Sequence, residues 1–216
     1  MRWLAAWALV PLCVACGQTS SPQPDTSAAV AVQPVNPARI DRARDLVPDG
    51  YEVARYSGPA SPISLWGLRD AASADPPHCL ALGAPTVDPA TVRGWSASGA
   101  GGIIYAVAAA TPDRPDAGLI GGCRDWQVTA APSSATVTEI PAPAVDSAVV
   151  YGMSTQARTV VEGGTETGMH ADTFVAYLDG HVCFVTVVTD PGAGHPALTP
   201  DDAADLLTET VAALRG

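Results

Sequence analysis

Hydrophobic and polar residues follow a strand-like pattern most clearly over 172–190, where two runs rich in Val, Phe, Tyr and Thr flank Asp179-Gly180. Such flanks suit a pleated surface, and Asp-Gly can place two successive residues at positive φ, so the pattern predicts a β-hairpin with a type I′ turn. The second arm, 182–188, is almost wholly apolar. It needs cover on both faces, which calls for further elements on each side of a sheet. Downstream, Thr199-Pro200-Asp201-Asp202 supplies a cap, a proline at the first helical position and two carboxylates against the positive end of a helix dipole. Ala203, Leu206, Leu207, Val211 and Leu214 then form one stripe, predicting a helix over 199–216.

Earlier in the chain, Asn36-Pro37 opens a helix whose inner face is Ile40, Ala43, Leu46 and Val47, and Pro48-Asp49-Gly50 stops it. A first strand follows over 51–56, with Tyr51, Val53 and Arg55 on one side. Pro59, Pro62, Pro76 and Pro77 break 57–77, leaving Trp66, with Leu65 and Leu68, either to plug the core from an irregular segment or to line a cleft. A short helix over 76–82, a Gly-rich turn over 94–102 and a strand over 103–109 come next. Strands over 127–131 and 135–140 precede a long strand with a bulge or break over 147–162. This order predicts one α+β domain, 36–216, built on a mainly antiparallel sheet with helices packed on it.

The start of the chain follows different rules. Residues 1–15 hold one base, Arg2, then an apolar run too short to cross a bilayer, as a secretory signal does. Cys13-Val14-Ala15-Cys16-Gly17 resembles a bacterial lipobox, with Cys16 as the lipidated residue, although Cys13 stands where Leu is usual. The rest of 16–35 is Ser, Thr, Pro, Gln and Ala without aromatic residues or apolar period, a flexible tether whose residues 17–35 could reach roughly 60 Å when extended. These features place the domain on the extracytoplasmic face of the cell membrane, held by lipid.

Charge narrows the functional classes. Acids number 22 and bases 11, a net charge of −11, and every base is Arg. The missing Lys reads as the codon bias of a GC-rich genome. It excludes Schiff-base lysines, Walker-type phosphate loops and Ser-Lys dyads, and the acidity argues against nucleic acid as a partner. Gly94-Trp95-Ser96-Ala97 is followed by Ser98 where a nucleophile elbow needs Gly, and Gly99-Ala100-Gly101 lacks the third Gly of a dinucleotide fingerprint because Ile104 takes its place. No catalytic constellation is visible.

With Cys16 lipidated, Cys79, Cys123 and Cys183 remain to the exported domain. Cys183 lies in an apolar strand, whereas Cys79 and Cys123 sit at junctions where a bridge is easily placed, so these two are expected to pair. Structural zinc would need closely spaced ligands such as C-x-x-C, which do not occur, and no cofactor is implied. His78, His170, His181 and His195 are scattered. The densest polar stretch, Glu162 to Asp172, could gather Glu162, Glu166, His170 and Asp172 around a cation or polar ligand, or could be a solvated loop between strands, with Arg158 paired to Glu162 along one face of the strand before it. If a ligand pocket exists, Trp66, Trp95 and Tyr105 are the candidate floor, and Glu166 and His170, on a glycine-rich loop, the polar contacts.

The landmarks Asp75-Pro76-Pro77-His78-Cys79, Trp95-Ser96-Ala97-Ser98-Gly99 and Cys123-Arg124-Asp125-Trp126, with the final hairpin and helix, resemble an uncharacterised, LppI-like family of mycobacterial lipoproteins. More distantly they are similar to the extracellular sensor domain of PknH-type kinases. The resemblance covers about 36–216 and implies an antiparallel sheet with packed helices and a cleft of unknown ligand. Those sensor domains carry two disulfides, and only one pair can be matched here. The family brings no catalytic residues. The expected role is thus a ligand-binding, sensor-like envelope lipoprotein meeting a small molecule or an envelope protein, with a scaffolding role as the alternative and a hydrolase less favoured.

Overall fold

The sheet is covered on both faces, one of them by the two ends of the described chain. The computed structural model of the protein describes residues 34–68, 72–161, 163–192 and 196–216. The expected leader, the lipidated Cys16 and most of the tether lie outside those residues, as do Glu162 and His195. The strands are β1 (Glu52–Arg55), β2 (Ser73–Asp75), β3 (Arg93–Gly99), β4 (Gly102–Ala110), β5 (Asp125–Ala130), β6 (Ser133–Ile140), β7 (Val149–Val160), β8 (Glu166–Leu178) and β9 (His181–Thr189). They form one sheet in the order β1-β3-β4-β9-β8-β7-β6-β5-β2, every neighbour antiparallel. A 3-10 helix (Pro37–Leu46) and helices α1 (Pro62–Leu65), α2 (Leu80–Gly83), α3 (Ala117–Gly122) and α4 (Pro200–Arg215) complete an α+β fold.

Strand alternation divides the core into two layers with the sheet between them. On one side Val107, Tyr151, Val175 and Phe184 meet Ile63, Trp66, Leu68 and Leu82, from in and around α1 and α2. On the other, Ala106, Phe174, Val185 and Val187 meet Ile40 and Ala43 of the 3-10 helix and Ala203, Leu207, Val211 and Leu214 of α4. Each fully buried Phe, Val or Leu contributes about 1.5–3 kcal/mol. The apolar run 182–188 is therefore covered on both faces, as its composition requires. The start of α4 is a capping box, in which Thr199 N–H donates to Asp202 Oδ2 (2.7 Å) and Asp202 N–H donates to Thr199 Oγ1 (3.3 Å).

Several elements differ from expectation. Ile40, Ala43 and Leu46 recur every three residues, and the segment winds as a 3-10 helix, whose three-residue turn stacks them in a row. Ile40 and Ala43 are buried there, while Leu46 is 49% exposed. The expected Gly-rich turn over 94–102 is mostly the strand β3, and the irregular 57–77 contains α1 and β2. β7 pairs with β8 without a bulge from Val149↔Tyr177 to Val160↔Glu166. Of the two hairpin-turn residues only Gly180 has positive φ, at 64°, so the turn is not type I′; one left-handed residue in second place is what type II requires.

Candidate functional site

The residues expected to line one pocket are separated by the sheet. Trp66, at the end of α1, is fully buried in the first layer and its Nε1–H donates to Thr173 Oγ1 at 3.0 Å. Thr173 Oγ1 lies 3.0 Å from Thr186 Oγ1, so the indole is tied into β8 and β9. Trp95 on β3 is fully buried in the opposite layer, donating to the Ile40 carbonyl at 3.1 Å. Tyr105 meets Tyr56 edge-on at 5.9 Å, and burial raises its phenol pKa. Two sealed indoles on opposite faces form no common floor, which corrects the expected arrangement of Trp66, Trp95 and Tyr105.

Glu166 and His170 also stand elsewhere than expected. Both belong to β8 and not to a loop, because β7 supplies a pairing partner for each: Val160 for Glu166 and Gln156 for His170. Glu166 makes an exposed ion pair with Arg158 (3.6 Å), the arginine expected to meet Glu162. His170 shares a sheet face with Trp95 by alternation, but the row Trp95–Ala106–Val185–Phe174 puts it three strands over and four residues along, roughly 20 Å away by strand spacing.

The structure does join His170 to Asp172. His170 Nε2 lies 2.9 Å from Asp172 Oδ2, and Gln156 Nε2 lies 3.0 Å from His170 Nδ1. Neutral His170 thus donates to the carboxylate and accepts from the amide. Asp172 is only 2% exposed, and its Oδ1 has no hydrogen-bond partner among the described residues. The hydrogen bond to Asp172 raises the imidazole pKa above 6.5; burial opposes the rise and the carboxylate's charge adds to it. Both ring nitrogens are thus engaged by neighbouring side chains of the sheet.

An open cleft bearing two arginines lies at the sheet edge. The cleft, of about 440 Å³, runs between the start of the 3-10 helix and the β1–β3 pair, lined by Ile40, Asp41, Arg55, Tyr56, Val92 and Arg93 among others. Arg55 pairs in register with Trp95, which puts Arg93, two residues from Trp95, diagonally beside it on the same face, roughly 7–8 Å away. Neither arginine forms an ion pair with a described residue. The carboxylate of Asp41 is held by Arg44 at 2.8 Å. Tyr56 donates its hydroxyl to the Pro59 carbonyl at 2.7 Å, and burial pushes its pKa up to about 12.

Two further hollows have other chemistry. One, of about 430 Å³, sits against the β3–β4 turn and includes Met169, Val188 and Asp190; the other, of about 210 Å³, has an apolar floor of Ile104, Val187 and Leu206 with Asp202, Asp205 and Glu209 at its rim. His78, Cys79 and Cys123 are close enough together to suggest a metal, but the two sulfurs are bonded to each other and offer no thiolate. Sequence reasoning missed the Arg55–Arg93 pair. Alternation had put Arg55 with Tyr51 and Val53 on one side of a strand, but reading 94–102 as a turn removed the partner strand that brings Arg93 beside it.

Fold and site together define an open-edged antiparallel α+β domain with an arginine-bearing cleft at one edge. The chain belongs to the DUF5642 family, a domain of unknown function, whose model matches residues 36–215. Among solved structures it is similar to an uncharacterised protein of Mycobacterium smegmatis, the Rv0999 ortholog. That likeness has a TM-score of 0.61 and 17% identity, over 84% of this chain and 98% of that one. The extracellular domain of PknH from Mycobacterium tuberculosis aligns over 82% of this chain and 92% of its own, with a TM-score of 0.43 and 11% identity. The first speaks to the fold alone. No curated protein matches the sequence.

Proposed function

We propose that the chain is an exported, lipid-anchored domain that binds a small molecule at the outer face of the membrane and acts by binding, not by catalysis. The observation that carries export is the Cys79–Cys123 disulfide, since such bonds persist in oxidising compartments and are rare in the cytosol. Residues 1–15, Cys16 and the tether support the same reading from sequence. Acyl chains at Cys16 would supply about 0.8 kcal/mol per buried CH₂, and two or more would make the attachment stable. Clefts near 440 and 430 Å³ fall in the size range of small-molecule sites, about 300–1,000 Å³. The doubly engaged His170 ring supports a non-catalytic role, and a net charge of −11 weighs against nucleic acid.

Fractionation of a Cys16→Ser variant tests the anchor. The variant should leave the membrane and appear as soluble exported protein with Cys79 and Cys123 still bonded. Retention on the membrane would refute lipidation at Cys16, and wild-type protein recovered from the cytosol with free thiols at both positions would refute export. Mass spectrometry of small molecules co-purifying with the native lipoprotein tests the binding role; failure to retain any would count against it.

A further inference from the structure

Acids outnumber bases two to one in this chain, yet two arginines face one cleft without an ion-pair partner. We infer that the cleft between the 3-10 helix and the β1–β3 edge binds a small oxyanion, a carboxylate or phosphate on a compact apolar body, with Arg55 and Arg93 as its clamp. This rests on the proposed binding role and names the class of ligand.

The geometry favours an anion for three reasons. Arg55 and Arg93 are diagonal neighbours on one sheet face, an arrangement in which like charges repel and an oxyanion between them would offset the repulsion. Arg93 Nη1 donates to the carbonyls of Ala90 (3.2 Å) and Val92 (2.8 Å), which fixes the guanidinium plane while its other N–H groups have no partner among the described residues. Arg55 donates to no described group at all. Planar guanidinium forks in this state suit the paired oxygens of carboxylates and phosphates. Asp41, the acid in the lining, is already held by Arg44. Ile40, Val92 and Pro37 supply the apolar wall.

Isothermal titration of the mature full-length lipoprotein in neutral detergent, with phenyl phosphate, benzoate and benzylamine as probes, tests the clamp. At least one anion should bind and benzylamine should not; a response to one anion alone identifies the oxyanion. Arg55→Gln and Arg93→Gln should each weaken binding about ten-fold or more, and the double variant should abolish it. Arg124→Gln, which removes an exposed partner of Glu139, should change nothing. Thermal melting of each variant checks that the fold persists. Binding of neither anion, equal binding of benzylamine, or full affinity in the double variant would overturn the inference. If the double variant still co-purifies with a small molecule at the wild-type level, the clamp fails and the broader binding role stands.

Discussion

Reducing the Cys79–Cys123 bond should cost this domain a measurable share of its stability. The two residues are 44 apart in sequence, and both are buried, so reduction leaves two thiols in place without opening a cavity. The main loss is then the constraint on the unfolded chain. For a loop of this length the chain-entropy relation gives about 13 cal/mol/K, or about 4 kcal/mol at 25 °C, and native disulfides typically contribute about 2–5 kcal/mol. With a urea m value of about 2 kcal/mol/M, the unfolding midpoint should fall by about 1–2.5 M on reduction. The assay compares urea titrations with and without dithiothreitol. Cys183 gives an internal check: its thiol is buried and its pKa pushed up to about 12, so iodoacetamide should label it only on unfolding. A midpoint shift below about 0.3 M, or a Cys183 peptide found in any disulfide, would refute the reasoning.

Two other changes test the sheet. Because the folded-state pKa of His170 is raised, the stability it contributes through Asp172 is complete below about pH 6.5 and is lost as pH rises through the raised value. Titration by NMR should show that elevation, and Asp172→Asn should abolish it; an unchanged midpoint in the variant would show that the carboxylate is not the cause. Gly102 has φ of 138°, and a Cβ there would run into the Val188 carbonyl. Gly102→Ala should therefore cost about 1–3 kcal/mol, read from urea unfolding, whereas a neutral result would mean that the β3–β4 turn relaxes freely.

Much of the fold was legible where local chemistry and tertiary need coincide. Thr199-Pro200-Asp201-Asp202 starts α4, and its five expected inward residues are all buried. Cys79 and Cys123 pair while Cys183 stays in its apolar strand. β3 was hidden because Gly94 resembles turn chemistry, although what it serves is close packing: a Cβ there would stand 2.5 Å from the Ala106 carbonyl. The first half of β8 looked like a loop because Glu166, Thr167 and Gly168 face solvent, and only pairing with the distant β7 makes them a strand. The expected pocket failed for a related reason. Alternation assigns a side chain to a face only when strand limits are known, and without β3 nothing placed Trp95 opposite Trp66 or Arg93 beside Arg55.

Among the described residues the nine-stranded sheet does not close, and its two borders are the shortest strands, four residues in β1 and three in β2. Each border offers few unpaired backbone groups, and β1 carries the charges of Glu52 and Arg55 while β2 ends on Asp75. Copies crowded together on one membrane by the proposed lipid anchors would meet at high local concentration, the condition under which long apolar borders zip into fibres. Short, charged borders deny a neighbouring copy the template for that growth.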